Sequence, residues 1–234
     1  MRDYIILNGV SSLTISGLLI QNLPPISKPK QRVEVEEIDD RDGDILTYLG
    51  YGAYDKEFKI GLYGSYNVDE IISYFNSQGT VIFSNEEDKY YNYQIIEQID
   101  FDKLIRFKEA IVKMHMQPFK YSAEDNQKIF PISDITSINI RNSGNIYSRP
   151  IITINGTGTI EISLNNIQLF SIDMGNYTSI TIDTNNMNAY NGSTLLNRNV
   201  IGNYDNFKLN VGNNTISWTG AITQIEIDNY SRWI

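Results

Sequence analysis

The chain has no cysteine, a single histidine (His115), and six prolines, three of them crowded between Leu23 and Lys30. The missing thiols exclude disulfides, thiolate catalysis and cysteine-bearing zinc sites together. One imidazole leaves no two-histidine metal site, and no Ser-His-Asp arrangement can draw on a second His. His115 sits in a run rich in methionine and aromatic residues, so it reads as a core or interface residue rather than a general base. Positive charge is scarce as well, with 19 Lys+Arg against 28 Asp+Glu and a net charge of −9. No basic stripe is available for phosphates, and nucleic-acid recognition is not expected. Long apolar runs are absent: Leu13 to Leu23 is short and interrupted by Thr, Ser, Gly, Gln and Asn. The first residues turn polar too soon for a signal peptide, so the expectation is a soluble protein with no export signal. Gly156-Thr-Gly158 lacks the third glycine and following helix of a dinucleotide site. No carboxylate pair stands out for glycoside chemistry. Neither a catalytic residue nor a cofactor or metal is expected.

What is present is unevenly spread. Asn occurs 6 times in residues 1–121 and 20 times in 122–234, whereas charged residues number 32 and 15 in the same stretches. At 234 residues the chain is long enough for two small domains, each with its own core. The composition shift places them at 1–125 and 126–234. Four Asn-X-Ser/Thr matches, at Asn155, Asn176, Asn191 and Asn213, are what an Asn- and Thr-rich segment produces by chance.

In the first domain, Asp3–Val10 and Leu13–Ile20 read as strands with bends at Gly9 and Gly17. The prolines at 24, 25 and 29 then make an extended connector or an edge. Gln31–Ile38 alternates, with Val33 and Val35 on one face and Arg32, Glu34 and Glu36 on the other, so this strand faces water or a partner. Asp39-Asp-Arg-Asp-Gly-Asp44 invites a calcium reading that fails: counted from Asp40, the sixth and twelfth positions of an EF-hand loop hold Ile45 and Tyr51 instead of Gly and Glu. A polar turn is the better reading. Two strands follow between Ile45 and Tyr63. A helix is expected over Val68–Gln78, capped by Asn67 and stopped by Gly79, with Val68, Ile71, Ile72 and Phe75 as its apolar stripe. Thr80–Ser84 and Tyr90–Ile99 alternate as strands. Leu104–Met116 suits either helix or strand, and a strand bulged near Glu109 is preferred. Tyrosines cluster at 48, 51, 54, 63 and 66 and at 90, 91 and 93, which suits an interface and ordinary sheet packing equally.

The second domain alternates short strands with turns. Ile152, Ile154, Ile160, Ile162 and Leu164 flank Asn155-Gly-Thr-Gly158, which reads as a hairpin. Further strands are expected at 135–140, 168–174, 179–183, 189–191, 207–209, 215–218 and 222–227, making a β-sandwich. Arg149-Pro150 forces an extended approach to the first of the hairpin strands.

Several segments in this order resemble the distal tail protein (Dit) family of long, non-contractile-tailed bacteriophages. They are Arg41-Asp-Gly-Asp44 after an acidic strand, Ile71-Ile-Ser-Tyr-Phe75, Gly79-Thr-Val-Ile-Phe-Ser84 before Tyr90-Tyr91, and Met116-Gln-Pro-Phe-Lys-Tyr121. In the second half they are Asn142-Ser-Gly-Asn145 with Ser148-Arg-Pro-Ile-Ile-Thr-Ile-Asn-Gly-Thr-Gly158, Ile182-Asp183 with Asn188-Ala-Tyr-Asn191, and Gly212-Asn-Asn-Thr-Ile216 before Gly220. The resemblance implies a mainly β fold: a tail-tube-like β-sandwich or barrel with one α-helix, then a galectin-like β-sandwich. It also implies a non-enzymatic hub at the virion tail tip, made in the bacterial host cytoplasm. Its partners would be itself as a homo-hexamer, the tail tube protein, a tail-associated (Tal-like) protein and the receptor-binding or adsorption proteins. Ring contacts would then involve the stretch from Pro24 to Asp44, and the candidate interface residues are Val33, Val35, Arg41, Asp42, Tyr48 and Tyr51. Larger relatives carry inserted carbohydrate-binding modules, for which this chain has no room. The galectin-like label does not itself carry sugar binding. The alternative is a lectin-like module for bacterial cell-surface carbohydrate.

Overall fold

Apolar alternation becomes antiparallel strand through most of the chain. The computed structural model describes residues 2–40, 42–124 and 128–234. Two units emerge, Met1–Ala123 with Ile234 and Glu124–Trp233, and both are mainly β.

The first unit contains β1 (Ile5–Leu7), β2 (Val10–Ser11), β3 (Leu18–Ile20), β4 (Gln31–Glu37), β5 (Asp44–Tyr51), β6 (Tyr54–Leu62), β7 (Gln78–Phe83), β8 (Lys89–Gln94) and β9 (Glu109–Ser122). Its helices are α1 (Val68–Tyr74) and α2 (Phe101–Phe107). The main sheet runs β2-β1-β7-β8-β9-β6-β3, while β4 and β5 form a separate two-stranded ribbon. Every second residue of β6 and β9, from Phe58 to Leu62 and from Ala110 to Met116, enters a core shared with Phe83 and Tyr91. Phe83 meets Phe58 and Tyr91 edge to face, at 6.2 and 5.7 Å between centroids, a favoured aromatic geometry.

Three expectations need correction here. Leu13–Ile20 is not one strand: Ser12–Thr14 is a 3₁₀ turn and only Leu18–Ile20 pairs. The Ser12 hydroxyl accepts the Ile5 N–H at 3.1 Å, which fixes that turn against β1. Helix α1 does start at the Asn67 cap, whose side chain accepts the Asp69 and Glu70 N–H groups, but it ends four residues early. Tyr74 rather than Ile72 completes its buried stripe with Ile71 and Phe75, because the Tyr74 hydroxyl reaches the Ile5 and Val10 carbonyls. Gly79 belongs to β7, where the Asn8 side chain lies 1.9 Å from the position of a Cβ. Its glycine serves that contact and not a helix end. Finally, the ambiguous 104–116 segment is helix and then strand. Lys108 takes the left-handed conformation at φ 58°, ending α2 and starting β9, so the unit has two helices where one was expected.

The second unit contains β10 (Lys128–Pro131), β11 (Ser137–Asn142), β12 (Ile151–Leu164), β13 (Ile167–Asp173), β14 (Ser179–Asp183), β15 (Asn188–Asn191), β16 (Thr194–Leu195), β17 (Val200–Gly202) and β18 (Gly212–Asp228). The expected hairpin at 155–158 does not exist. Residues 151–164 form one strand, paired along one edge with β18; along the other, its first part pairs with β14 and its second with β13. The segments 215–218 and 222–227 likewise fuse into β18, which is 17 residues long. Apolar residues keep even parity across the glycines, from Ile152 to Leu164, so one face stays buried without a reversal.

The glycines mark a shared irregularity instead. Register shifts between Asn155 and Glu161, and a Cβ on Gly156 or Gly220 would lie 2.4 Å from the carbonyl oxygen of Ala221 or Thr159, respectively. Here the pairing changes from β10 and β14 to β11 and β13, as where strands switch layers at a bulge. The hairpin turn lies further on, at Asn165-Asn166, with φ of 50° and 68°, as a two-residue type I′ turn requires. Asparagine enrichment has the same physical origin. The buried Asn142 amide holds the Ile146 and Leu209 carbonyls and the Gly144 N–H, and Asn214 closes the 210–214 turn with three hydrogen bonds and accepts a fourth from the Asn165 amide.

Candidate functional site: an exposed β-ribbon

The connector from Leu23 to Lys30 is tied to the first unit by its carbonyls. Pro25 accepts from Lys56 Nζ at 2.6 Å and Pro24 from Asn85 Nδ2 at 3.3 Å. Lys56 is buried among the rings of Tyr54, Phe83 and Tyr91. Burial pulls its ammonium down to about 8, the nearby Glu86 opposing and Lys120 adding to the effect. Glu86 is committed to Lys120 at 2.7 Å and to the Tyr91 hydroxyl. Burial pushes the Tyr54 hydroxyl up to about 12. Where the two ribbon strands meet the unit, the Gly52 N–H donates to the Lys30 carbonyl at 2.8 Å. The ribbon therefore leaves from an anchored base.

Beyond that base, nothing among the described residues covers it. Val33 stands opposite Tyr48 and Val35 opposite Leu46, so these four side chains share one face. Glu34 and Glu36, opposite Thr47 and Ile45, occupy the other. Val35 is 52% exposed, Leu46 47% and Tyr48 65%, although opposed Val, Leu and Tyr are residues that ordinarily close on a core. A bulge between Arg32 and Val33 leaves Leu49 as the extra residue, and Arg32 donates to its carbonyl at 3.0 Å. Of the tip, Asp39, Asp40, Asp42 and Gly43 are described and exposed, with left-handed backbone at Asp40 (φ 61°) and Gly43 (φ 81°), in keeping with a polar turn.

Of the six candidate residues, the structure brings Val33, Val35 and Tyr48 together in mid-ribbon. Asp42 is exposed at the tip. Tyr51 lies at the base, half-buried, with its ring edge-on to Phe119 at 5.7 Å. Arg41 lies outside the described residues. Sequence reasoning missed Leu46 as a member; its alternation with Tyr48 was visible, but the pairing register that sets it opposite Val35 was not. The other tyrosines divide by environment: Tyr91 and Tyr93 are core residues, while Tyr63 is exposed.

Elsewhere, His115 bonds Asp55 at 2.8 Å, and Lys113 bridges Asp55 and Glu97 at 3.2 and 2.6 Å. The hydrogen bond from His115, then that from Lys113, holds the Asp55 carboxyl below its usual range. This is a cross-strand charge network on β6 and β9. In the second unit, Arg149 is occupied by the Thr184 carbonyl at 3.0 Å and Asp205 at 2.9 Å, consistent with fixing the chain before β12. A hollow of about 390 Å³ lies beside it, lined by Asn165, Ile167, Leu169, Asp205, Asn206 and Lys208 among others, with no aromatic ring among its described lining residues. No cluster of His, Asp and Glu fit to hold a metal occurs among the described residues.

Neither a protein-family model nor a curated protein matches the chain. Solved structures do. The SPP1 Dit protein, described as a paradigm of the hub adsorption apparatus in phages that infect Gram-positive hosts, matches with a TM-score of 0.67 at 13% identity, over 97% of this chain and 99% of that one. The phage P2 baseplate, in its activated conformation with calcium, matches with a TM-score of 0.50 at 11% identity, over 97% of both chains. The chain thus has a Dit-like fold from end to end.

Proposed function

We propose that the chain is a non-enzymatic structural hub of a bacteriophage tail tip. Copies assemble through the first unit into a hexameric ring that joins the tail tube protein to a Tal-like tail-tip protein and the receptor-binding or adsorption proteins. In this reading the first unit is the tail-tube-like, ring-forming domain and the second a galectin-like sandwich that faces outward. Candidate interface residues are Val33, Val35, Tyr48 and Asp42, with Tyr51 at the ribbon's base.

The observation that carries the reading is the uncovered apolar face of the β4–β5 ribbon, in a chain whose fold matches a hub protein over 97% of its length. An exposed apolar ladder on an anchored two-stranded ribbon marks a protein-protein contact. A symmetric homo-oligomer uses such a surface on every copy. The hollow of the second unit offers sugar no ring to stack on, so the lectin-like alternative has no comparable support.

Negative-stain electron microscopy of the purified chain tests this reading. Closed rings with six-fold symmetry are expected without added sugar or other tail proteins. Single particles of one-chain size that bind host cell-wall polysaccharide would replace it with the lectin-like reading.

A further inference from the structure

Asparagine followed by glycine is a pair prone to lose its side-chain amide. The glycine nitrogen can attack the side-chain carbonyl of the residue before it, and glycine has no side chain to block the approach. The chain holds three such pairs, Asn8-Gly9, Asn155-Gly156 and Asn191-Gly192. The nitrogen must first come within bonding reach of Cγ, so the local backbone has to open, and the contacts that opening breaks set the rate.

The three pairs sit in different surroundings. Asn155 lies in mid-strand with neighbours on both edges, Ser179 and Gln224, and the Gly156 N–H donates to the Thr178 carbonyl at 3.1 Å. Asn8 is in an exposed turn, yet its Oδ1 accepts the Thr80 N–H at 2.8 Å, its Nδ2 reaches the Gln78 carbonyl at 3.4 Å, and its own N–H donates to the Thr80 carbonyl at 3.0 Å. Asn191 is held by less. Its Nδ2 donates to the Ser179 carbonyl at 2.7 Å, while its Oδ1 and the Gly192 N–H have no partner among the described residues. Gly192, with φ of 56°, starts the turn between β15 and β16, and nothing lies within 4 Å of a Cβ there. Strand β16 has two residues at the end of its sheet, paired only as Tyr190–Leu195 and Asn191–Thr194, and residues 192–195 are all exposed. Below them the buried Leu196 donates its N–H to the Ala189 carbonyl at 2.7 Å, so the tip can open while the base stays closed.

We propose that Asn191 is a self-modification site, which the folded chain converts to aspartate and isoaspartate ahead of Asn8 and Asn155. The Gly192 nitrogen gives up its proton and bonds to Asn191 Cγ; the Cγ–Nδ2 bond breaks, and the side-chain nitrogen leaves as ammonia with that proton. The cyclic imide so formed takes up one water across either of its carbonyl–nitrogen bonds. One opening gives aspartate, and the other gives isoaspartate, whose main chain runs through the former side chain. No electrons are transferred, and water is the only co-reactant. Either product adds a negative charge and removes the donor to the Ser179 carbonyl, leaving two acceptors face to face. Isoaspartate also lengthens the main chain by an atom, which breaks the register of Asn191 with Thr194. The modification therefore loosens the β15–β16 hairpin from its tip.

Incubating the folded, unaltered chain in mildly alkaline buffer made with heavy-oxygen water, followed by peptide mapping with mass spectrometry, tests this. Acid should appear first at residue 191, as a mixture of aspartate and isoaspartate carrying the heavy oxygen, and about ten-fold or more faster than at residues 8 and 155. In denaturant the three sites should convert at similar rates, since no structure then distinguishes them. Gly192→Ala has room for its methyl group and should slow the conversion at 191, because the methyl hinders the attacking nitrogen. Conversion of Asn8 or Asn155 as fast as Asn191 in the folded chain would overturn the proposal, as would an Asn191 amide that persists when folded and is lost only in denaturant. Aspartate at 191 without isoaspartate would also overturn it, by showing direct hydrolysis in place of cyclisation.

Discussion

The β4–β5 ribbon and the β12–β18 pair are both long antiparallel ladders with branched residues on alternate positions, yet they end in opposite environments. Ile152, Ile154, Ile225 and Ile227 are at most 2% exposed, whereas Val35 and Tyr48 are 52% and 65% exposed. Each fully buried side chain of this kind stabilises its unit by about 1.5–3 kcal/mol. The ribbon's half-exposed Val33, Val35 and Leu46 gain only part of that within one chain. Alternation therefore identifies strands and faces but does not identify what covers a face. The β12–β18 ladder finds its cover in its own sandwich, whereas the ribbon has no cover among the described residues.

If that contrast holds, changes in the ladder should unfold the second unit and changes in the ribbon should not unfold the first. The largest effect is expected at Gly220→Val. Its φ of 96° and the Thr159 carbonyl 2.4 Å from a Cβ combine backbone strain with overlap, for a loss of about 4 kcal/mol or more. Denaturant titration followed by fluorescence of the buried Trp218 reads this out. Ile154→Ala, at a fully buried position, should cost about 2–4 kcal/mol in the same assay.

A smaller, pH-dependent effect belongs to the base of the ribbon. Lys56 titrates near 8 when folded and from its ordinary 10.5 when unfolded, so between these values the unfolded chain holds more protons. Stability should rise with pH across that window, by about 1–3 kcal/mol. Above pH 10 it should fall again, because burial raises the Tyr54 and Tyr91 hydroxyls. Lys56→Met should abolish the rise between pH 8 and 10 in stability measured by denaturation. A rise that persists in this variant would assign it to another group. The smallest change in stability, within about 0.5 kcal/mol, is expected for Val35→Ser, since an exposed side chain has little folded-state contact to lose.

Much of the fold could be read from the sequence where one face of an element is buried and local turn chemistry agrees with it. Residues 179–183 appear as expected because Ile180 and Ile182 alternate between polar neighbours, and Asn67 caps α1 as its position promised. The failures share a cause. Asn155-Gly-Thr-Gly158 looks like a hairpin turn, and only the approach of Ala221 and Thr159, far away in sequence, shows why glycine is needed at 156 and 220. Gly79 likewise reads as a helix end by its position after α1, yet it makes room for the Asn8 side chain. For the candidate site, the period-2 pattern showed Val33 and Val35 on one face beside an acidic one. The bulge that sets Tyr48 and Leu46 opposite them, and the exposure of all four, depend on pairing and burial, which local pattern does not contain.

The most direct test of a face completed by another copy is sedimentation velocity on the chain beside a variant carrying Val33→Ser, Val35→Ser, Leu46→Ser and Tyr48→Ser. The unaltered protein should sediment as six times 26.8 kDa and the variant as 26.8 kDa, with the two giving the same circular dichroism and denaturation midpoint. A variant that still sediments as the hexamer, or an unaltered chain that never leaves 26.8 kDa, would contradict the account.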